Sequence, residues 1–227
     1  QPRSRGLGDV YKRQIITFMR NLIIIGAGGM GRTIYDMALE NNGYLKDFQI
    51  KGFIDDDIHQ LDRFGNYPPI ISTILEYEPD KDDIFVCSIG GESRRKCMEQ
   101  MINHGGEFIT MIHPSSRIGT NVYIGKGTYI GAYTIVAADA YIDDYNFIQS
   151  HTIVGHDVQI GKWNRIDSYV MIVGGTTIGE GCMIHTRAMI SHNVHVGNDV
   201  HVGASSLVIN DVESGITVFG TPARRIK

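Results

Sequence analysis

The spacing of aliphatic residues divides the chain into two parts. From Ile118 to Val208 every sixth residue is Ile or Val, sixteen times in succession. Neither a helix nor an alternating strand has this period, whereas a strict short repeat is typical of a solenoid whose units pack only on their neighbours. Each six-residue unit, or hexad, therefore predicts one short strand followed by a corner.

The other hexad positions predict how these strands are arranged. The second residue is often Gly or another small residue, and the fifth is nearly always small or β-branched, so the first and fifth residues can both point inward. Three hexads would close a triangular coil of eighteen residues, here called the prism. Stacked coils pair each strand with those above and below, which satisfies the backbone while aliphatic columns fill a dry interior.

Before the repeat, the pattern predicts a small α/β layer. Strands are expected at 21–25, 48–54, 83–89 and 108–112, and helices at 32–41 and 92–103. Gly26, Gly28 and Gly31 fit G-x-G-x-x-G, with Asp55 and Asp56 about two dozen positions later. About ninety-five residues suffice for only one half of a dinucleotide fold. The helix start could hold a phosphate or a sugar hydroxyl, or the glycines could serve only close packing of helix on strand.

Charge and apolar content bear on where the native chain begins and on two classes of partner, nucleic acids and membranes. Residues 4–14 back-translate to a transposase adapter, so we expect residues 1–18 to be a non-native leader and the native chain to begin at Met19. Without the leader the chain carries 17 Lys and Arg against 24 Asp and Glu, which argues against nucleic acid as a partner. The apolar stretch 15–25 is too short for a membrane span and contains Arg20.

Cysteine and tryptophan content add two expectations. Cys87, Cys97 and Cys182 are odd in number and lack metal-type spacing, which is typical of a reduced, cytoplasmic protein. Trp163, the only tryptophan, occupies an outward hexad position. We expect it at an interface between subunits in preference to a ligand channel.

Four segments in this order resemble one known family: Ile25-Gly26-Ala27-Gly28-Gly29-Met30-Gly31, then Gly52-Phe53-Ile54-Asp55-Asp56-Asp57, then Ile112-His113-Pro114, and after the hexads Gly220-Thr221-Pro222-Ala223-Arg224. They resemble the NeuD/PglD type, which comprises sialic acid O-acetyltransferases and nucleotide-amino-sugar N-acetyltransferases. The resemblance implies a Rossmann-like domain at 19–113, a left-handed parallel β-helix at 114–227 and a homotrimer.

The resemblance also implies substrates and their sites. A nucleotide-linked amino sugar, or sialic acid, would bind in surface-glycan synthesis at Gly26, Gly28, Gly29, Asp55, Asp56 and Gly90, with Gly91 and Glu92 in the same turn as Gly90. Acetyl-CoA would be the acyl donor, with no metal, and would lie between neighbouring prisms at Arg165, Gly174, Gly203, Ala204 and Arg224.

His156 and Asp157 are the expected catalytic residues, because the resemblance places the general base in the segment 154–161. Stacking at eighteen residues produces one column of Thr120, Ala138, His156, Gly174 and His192. Small neighbours would leave room for a thioester beside the imidazole, and histidine titrates near neutral pH. Asp157 could orient the ring, and the Gly174 N–H could stabilise the oxyanion. The alternative for His156 is a solvent-exposed corner residue.

The chain departs from the family pattern at four positions, which leaves the acyl group and the acceptor open. Arg165 stands where the family has a second His, Gln149 for an Asn, Asp157 for a Glu and Met30 for a His.

Two other classes remain as alternatives. One is a zinc-dependent, carbonic-anhydrase-like hexapeptide protein, and the other is an NAD-binding protein suggested by the glycine turn. The candidate metal ligands are His185, His192, His195 and His201. No two of them are eighteen residues apart, which favours structural or solvent roles over a metal site.

Overall fold

The computed structural model describes residues 19–91 and 93–226. The expected leader at 1–18 and Glu92 lie outside the described residues. The N-terminal part is an α/β layer with strand order β3-β2-β1-β4-β5, in which all strands are parallel. Its elements are β1 (Arg20–Ile25), α1 (Gly29–Glu40), β2 (Phe48–Ile54), β3 (Ile70–Ser72), β4 (Asp83–Cys87), α2 (Ser93–Asn103) and β5 (Glu107–Phe108).

The rest of the described chain forms the prism, so the predicted parallel β-helix is confirmed. The domain-facing wall comprises β6 (Met111–Ile112), β9 (Tyr129–Ile130), β12 (Phe147–Ile148), β15 (Arg165–Ile166), β18 (Met183–Ile184), β21 (His201–Val202), β23 (Thr217–Gly220) and β24 (Ala223–Arg225). The aliphatic wall comprises β7 (Arg117–Ile118), β10 (Ile135–Val136), β13 (Ile153–Val154), β16 (Met171–Ile172), β19 (Met189–Ile190) and β22 (Leu207–Val208). The polar wall comprises β8 (Tyr123–Ile124), β11 (Tyr141–Ile142), β14 (Gln159–Ile160), β17 (Thr177–Ile178) and β20 (His195–Val196). The left-handed winding stays a prediction from the family resemblance.

The register follows the predicted eighteen-residue repeat. Ile135 pairs with Ile153, for example, and Phe147 with Arg165. Fourteen of the sixteen hexad Ile and Val residues are at most 2% exposed, and the other two, Ile118 and Ile124, lie at the open end of the prism. The aliphatic period therefore positions every coil by burial of apolar surface.

The fifth hexad position also points inward and carries polar side chains that bond to the next coil. Asn164 and Asn146 are both fully buried. The Asn164 side chain donates to the carbonyls of Gly161 and Gly179, at 2.9 Å each, and accepts from the Cys182 N–H at 2.7 Å. These bonds replace the hydrogen bonds to water that the side-chain amide gives up when it is buried.

Each corner is made by the fourth residue of a hexad, which lies in the left-handed region of backbone conformation. Glycine, Asn and Asp adopt this region readily, but Tyr145 (φ 60°), Trp163 (φ 64°) and Tyr169 (φ 64°) occupy it here as well. The aromatic rings stack on the residue eighteen positions away, with centroids 4.3 Å apart for Tyr145 and Trp163. Stacking between coils thus compensates for an unfavourable local conformation.

The register changes after Val208. Val212 forms a bridge with Val196, sixteen residues earlier, and Thr217 pairs with His201 at the same separation. Continuing the hexads past Val208 predicts Val212 at a fifth position, and this prediction is wrong, because the last coil is two residues shorter. The chain then turns back, and β24 pairs antiparallel with β23.

Two predicted strands differ from the structure. The segment 108–112 is divided, since β5 ends at Phe108 whereas β6 pairs with β9 in the prism. The strand expected at 83–89 ends at Cys87. The unpredicted β3 is only three residues long and follows Pro68 and Pro69, so its sequence has no period to detect.

The domain-facing wall packs against the α/β layer. Tyr129 and Phe147 join the apolar cluster around β1, and Trp163 packs beside Tyr145 in the cluster around α2. The Arg94 guanidinium donates from Nη1 to the Tyr145 carbonyl at 2.7 Å. Trp163 therefore packs against its own chain, and its predicted role at a subunit interface stays a prediction. No helix in the described part of the chain has the length and apolar character needed to cross a bilayer.

Candidate functional site

The glycine turn between β1 and α1 contains two kinds of glycine. Gly26 has φ +92°, and a Cβ there would lie 2.5 Å from Ser88 Oγ. A Cβ on Gly31 would overlap the Gly26 carbonyl oxygen. At Gly28 no atom lies within 4 Å of the Cβ position, and at Gly29 the nearest is 3.9 Å away. Close packing therefore explains Gly26 and Gly31 but leaves Gly28 and Gly29 without a structural reason to be glycine.

A pocket of about 290 Å³ opens above this turn. Its lining includes Gly26, Gly28, Gly29, Asp55, Gln60 and Ser88. Asp55 accepts the Ala27 N–H through Oδ2 at 2.7 Å, and its Oδ1 accepts the Asp57 N–H at 2.9 Å. Asp56 instead accepts the Ile74 N–H at 3.1 Å and is not part of the lining. Of the two acidic residues expected here, only Asp55 lies at the pocket, where it holds the turn.

His156 lies on the corner between β13 of the aliphatic wall and β14 of the polar wall. Its Nδ1 is 2.6 Å from Asp157 Oδ2, and both side chains are about two-thirds exposed. The ring covers Gly174 in the next coil, where a Cβ would lie 2.6 Å from His156 Nε2. The predicted column is thereby confirmed, with the His192 ring centroid 6.4 Å away.

The backbone beside His156 presents a hydrogen-bond donor. The Gly174 N–H donates to no acceptor within the described residues, whereas the next amide, of Gly175, donates to the His156 carbonyl at 3.0 Å. A side chain at Gly155 would collide with the Gly174 nitrogen, since its Cβ would be 2.6 Å away. Glycine at 155 thus avoids a collision with this nitrogen, and the corner combines the His156 ring with an N–H on the buried Gly174 that no described residue accepts.

Arg165 lies on a different part of the prism from His156. It projects from β15 on the domain-facing wall, and its Nε donates to Asp167 Oδ1 at 2.7 Å. Asp167 is 6% exposed and also contacts His185 Nδ1 at 3.1 Å through Oδ2. A Cβ on Gly90 would lie 2.8 Å from Arg165 Nη1. Gly90 therefore faces the arginine, whereas the preceding residues of its loop line the glycine-turn pocket.

The C-terminal residues form a separate group. The Phe219 ring covers Gly203, while Ala204 is exposed. Arg224 pairs across the final hairpin with Phe219 and lines a pocket of about 320 Å³ together with Arg225. The structure thus brings Gly203 and Arg224 to the same end of the prism, two coils away from Gly174.

The histidines proposed for the zinc alternative are dispersed. His195 lies on the polar wall and His201 on the domain-facing wall, while His185 contacts Asp167. Within residues 19–91 and 93–226 no group of three or more His, Cys, Asp or Glu side chains is arranged to hold a metal ion.

Sequence reasoning missed Arg94 and Asp167. Asp167 lies eighteen residues from both Gln149 and His185, which it contacts, so the eighteen-residue repeat carried a signal for it that was not used. Arg94 is buried and contacts Tyr145, 51 residues away, so the local pattern carries no signal for it. The pairing of Gly90 with Arg165 is missed for the same reason.

Two protein families match the chain. Residues 21–102 match the PglD N-terminal domain, and residues 175–210 match the bacterial transferase hexapeptide repeat. A UDP-N-acetylbacillosamine N-acetyltransferase of Bacillus subtilis (strain 168) is 29% identical over 119 residues, covering 50% of this chain and 52% of that protein. An uncharacterised protein, L142, of Acanthamoeba polyphaga mimivirus is 29% identical over 123 residues, covering 54% of this chain and 24% of that protein. The aligned part thus spans about half or less of these relatives.

Solved structures share the whole architecture. The acetyltransferase domain of PglB from Neisseria gonorrhoeae FA1090 in complex with acetyl coenzyme A has a TM-score of 0.80 at 28% identity, covering 92% of this chain and 100% of that chain. PerB from Caulobacter crescentus, in complex with CoA and GDP-perosamine, also has a TM-score of 0.80, at 24% identity and 91% and 97% coverage. The second likeness concerns the fold alone.

Proposed function

Because the chain belongs to the NeuD/PglD-type family of hexapeptide-repeat acetyltransferases, we propose that it transfers the acetyl group of acetyl-CoA to an amino group of a nucleotide-linked sugar in surface-glycan synthesis. The observation that carries the proposal is the corner at which His156 lies against Gly174, whose N–H donates to no described acceptor. The Bacillus subtilis relative named as an N-acetyltransferase favours an amine over a hydroxyl acceptor.

The proposed chemistry is direct transfer at this corner. Asp157 on Nδ1 holds the tautomer that leaves His156 Nε2 as the proton acceptor. Nε2 takes a proton from the acceptor amine as its nitrogen attacks the acetyl carbonyl, and the Gly174 N–H stabilises the resulting oxyanion. Collapse of the tetrahedral intermediate breaks the C–S bond, and the imidazolium returns its proton to the CoA sulfur.

The glycine-turn pocket is the proposed acceptor site. Gly28 and Gly29 lack side chains where a Cβ would have free space, so a ligand can approach the backbone amides at the start of α1. Asp55 keeps the turn in place through the Ala27 N–H. The proposed contacts of acetyl-CoA remain Arg165, Gly174, Gly203, Ala204 and Arg224. At Gly203 the ligand would touch the Phe219 ring, which covers this glycine.

We propose that a second copy of the chain joins these sites. The glycine turn lies in the layer that packs on the domain-facing wall, whereas His156 projects from the corner between the other two walls. The outward face of the aliphatic wall next to this corner carries exposed Ile135 and Met189, with Ile153 and Met171 partly exposed between them. Such a stripe is typical of a subunit interface. We propose a homotrimer, for which light scattering should report three chains, and keep the cytoplasmic location as a prediction.

Release of CoA thiol tests the function. We expect wild-type protein to release thiol from acetyl-CoA with a UDP-, TDP- or GDP-linked 4-amino sugar, and His156→Ala to reduce the rate by about a hundredfold or more. His104→Ala is the matched control, because His104 directly follows α2 and its side chain makes a single long ion-pair contact among the described residues, to Glu78 at 3.7 Å. Equal rates for His156→Ala and wild type would remove the proposal. Thiol release with free sialic acid instead would indicate O-transfer.

The acceptor site has its own test. Gly28→Val should leave the fold unchanged, because the Cβ position is empty, but should raise the KM for the sugar nucleotide about tenfold by filling the pocket. The KM for acetyl-CoA should not change. A normal acceptor KM in this variant would place the sugar nucleotide elsewhere.

A further inference from the structure

A second pocket, of about 390 Å³, lies between α2 and the domain-facing wall. Its lining includes Gly91, Arg94, Trp163, Arg165, Met183 and His201, and we call it the arginine pocket. Its lining shares the loop 88–91 with the glycine-turn pocket, since Gly91 lines the arginine pocket and Ser88 and Ile89 line the other. The two pockets are thus separated by only a few residues of one loop.

Arg94 brings a buried charge to this pocket. The residue is 5% exposed, and the only hydrogen bond of its guanidinium to the described chain runs from Nη1 to the Tyr145 carbonyl. Its Nε has no hydrogen-bond partner, and no described carboxylate forms an ion pair with it. Burial lowers the pKa of Arg94, and the charge of Arg165 lowers it further. A buried guanidinium in this condition is costly unless an anion pairs with it.

Arg165 adds a second, oriented charge. Its Nε is bound to Asp167, and Asp167 is itself held by Gln149 Nε2 at 3.2 Å, so the guanidinium is fixed in position. Its Nη1 is directed to Gly90, where a side chain would collide with it. Gly91 has open space at its Cβ position and precedes α2, whose N-terminus contributes partial positive charge.

We propose that the arginine pocket binds a phosphate group of one of the two substrates, which rests on the proposed function. Two guanidinium groups beside a helix N-terminus match a phosphate, which accepts several charge-assisted hydrogen bonds. The position beside the loop 88–91 points to the diphosphate of the sugar nucleotide, seated with its remainder at the glycine turn, and this assignment would move Arg165 from the acetyl-CoA contacts to those of the acceptor. CoA also carries phosphates and is the other source to be distinguished.

Trp163 allows a test without labels, because it is the only tryptophan and lines this pocket. Titration of the full-length wild-type protein with inorganic pyrophosphate should change the Trp163 emission saturably. UDP and GDP should do the same at lower concentration, whereas uridine and guanosine should not. A response to CoA but not to UDP or GDP would assign the phosphate to the acyl donor. No response to pyrophosphate, UDP, GDP or CoA would overturn the proposal.

Variants provide the second measurement. Arg165→Met should weaken pyrophosphate binding at least about tenfold, and Arg165→Lys should restore part of it. Lys81→Met, which removes an exposed positive charge elsewhere in the N-terminal layer, is the matched control and should bind as the wild type does. Pyrophosphate binding by folded Arg165→Met at wild-type strength would also overturn the proposal.

The two proposals can fail separately. Thiol release without any effect of pyrophosphate on Trp163 would remove the arginine pocket and leave the acetyltransferase. Pyrophosphate binding without thiol release on any sugar nucleotide would keep the pocket and remove the acetyltransferase.

Discussion

A single methyl group added at Gly174 should separate catalysis from stability. The Cβ of Gly174→Ala would lie 2.6 Å from Nε2, 2.7 Å from Cε1 and 3.0 Å from Cδ2 of His156. The usual van der Waals separation of such atoms is about 3.5 Å, so the His156 ring must move by roughly 0.9 Å. The side chain is 64% exposed, and it can therefore swing outward without disturbing the prism interior.

The cost of this shift falls on the reaction. A displacement of about 1 Å in a catalytic group lowers rates by about a hundredfold, or about 2.7 kcal/mol in activation free energy. We expect kcat for thiol release to fall by that factor, while the melting temperature changes by less than about 2 °C. Gly65→Ala is the control, because Gly65 has no atom within 4 Å of its Cβ position.

Two outcomes would refute this reasoning. Wild-type kcat in Gly174→Ala would show that the position of the His156 ring does not limit transfer. A melting temperature lowered by 10 °C or more would show that the collision is absorbed by the prism rather than by the side chain.

Two further predictions concern stability. Lys51→Met should cost about 3 kcal/mol of unfolding free energy, because Lys51 Nζ contacts Asp83 Oδ1 at 3.0 Å and the Asp83 side chain is fully buried. Burial raises the pKa of Asp83, but hydrogen bonds from Tyr77, the Asp80 N–H and Lys51 outweigh it, so the net pKa is lowered and this stabilisation is present above about pH 4 and lost as the pH falls. Burial lowers the pKa of Lys51, but its hydrogen bonds to Tyr77, Asp83 and Asp80 raise it overall, so its stabilisation is present below about pH 10 and lost as the pH rises. Urea unfolding at pH 3, 7 and 11 should therefore show the largest difference from wild type at pH 7, and a constant difference would contradict the pairing. Asn164→Ala should cost roughly 3 kcal/mol in the same assay, because it leaves the Gly179 carbonyl and the Cys182 N–H without partners, whereas the Gly161 carbonyl keeps its bond from Asn146 Nδ2. A loss below about 1 kcal/mol would mean that the interior relaxes around the gap.

The prism could be predicted almost completely, because its order resides in one short period. The column through His156 and Gly174 followed from that period alone and is confirmed. The two-residue shortening before Val212 was not predictable, since Val212 fits the inward pattern in either register. Aromatic residues in left-handed corners were also missed, because local preference opposes them and only stacking between coils permits them.

The proposed site was less predictable than the fold. The G-x-G-x-x-G pattern does not distinguish between its glycines. In the structure Gly26 and Gly31 are tightly packed, whereas the space at the Cβ position of Gly28 is empty. The contact of Gly90 with Arg165 joins residues 75 positions apart and depends on how the N-terminal layer docks. Such a contact is set by packing between separate parts of the chain, which no local periodicity encodes.

The final hairpin determines what the end of the coil can associate with. A stack of parallel strands exposes unpaired backbone groups on its last turn, and a second molecule could extend it indefinitely. On the domain-facing wall, β24 runs antiparallel to β23 and forms the last strand of the sheet. It carries Arg224 and Arg225, which are both exposed. Removing residues 223–227 should therefore convert a discrete particle into one prone to end-to-end fibre growth.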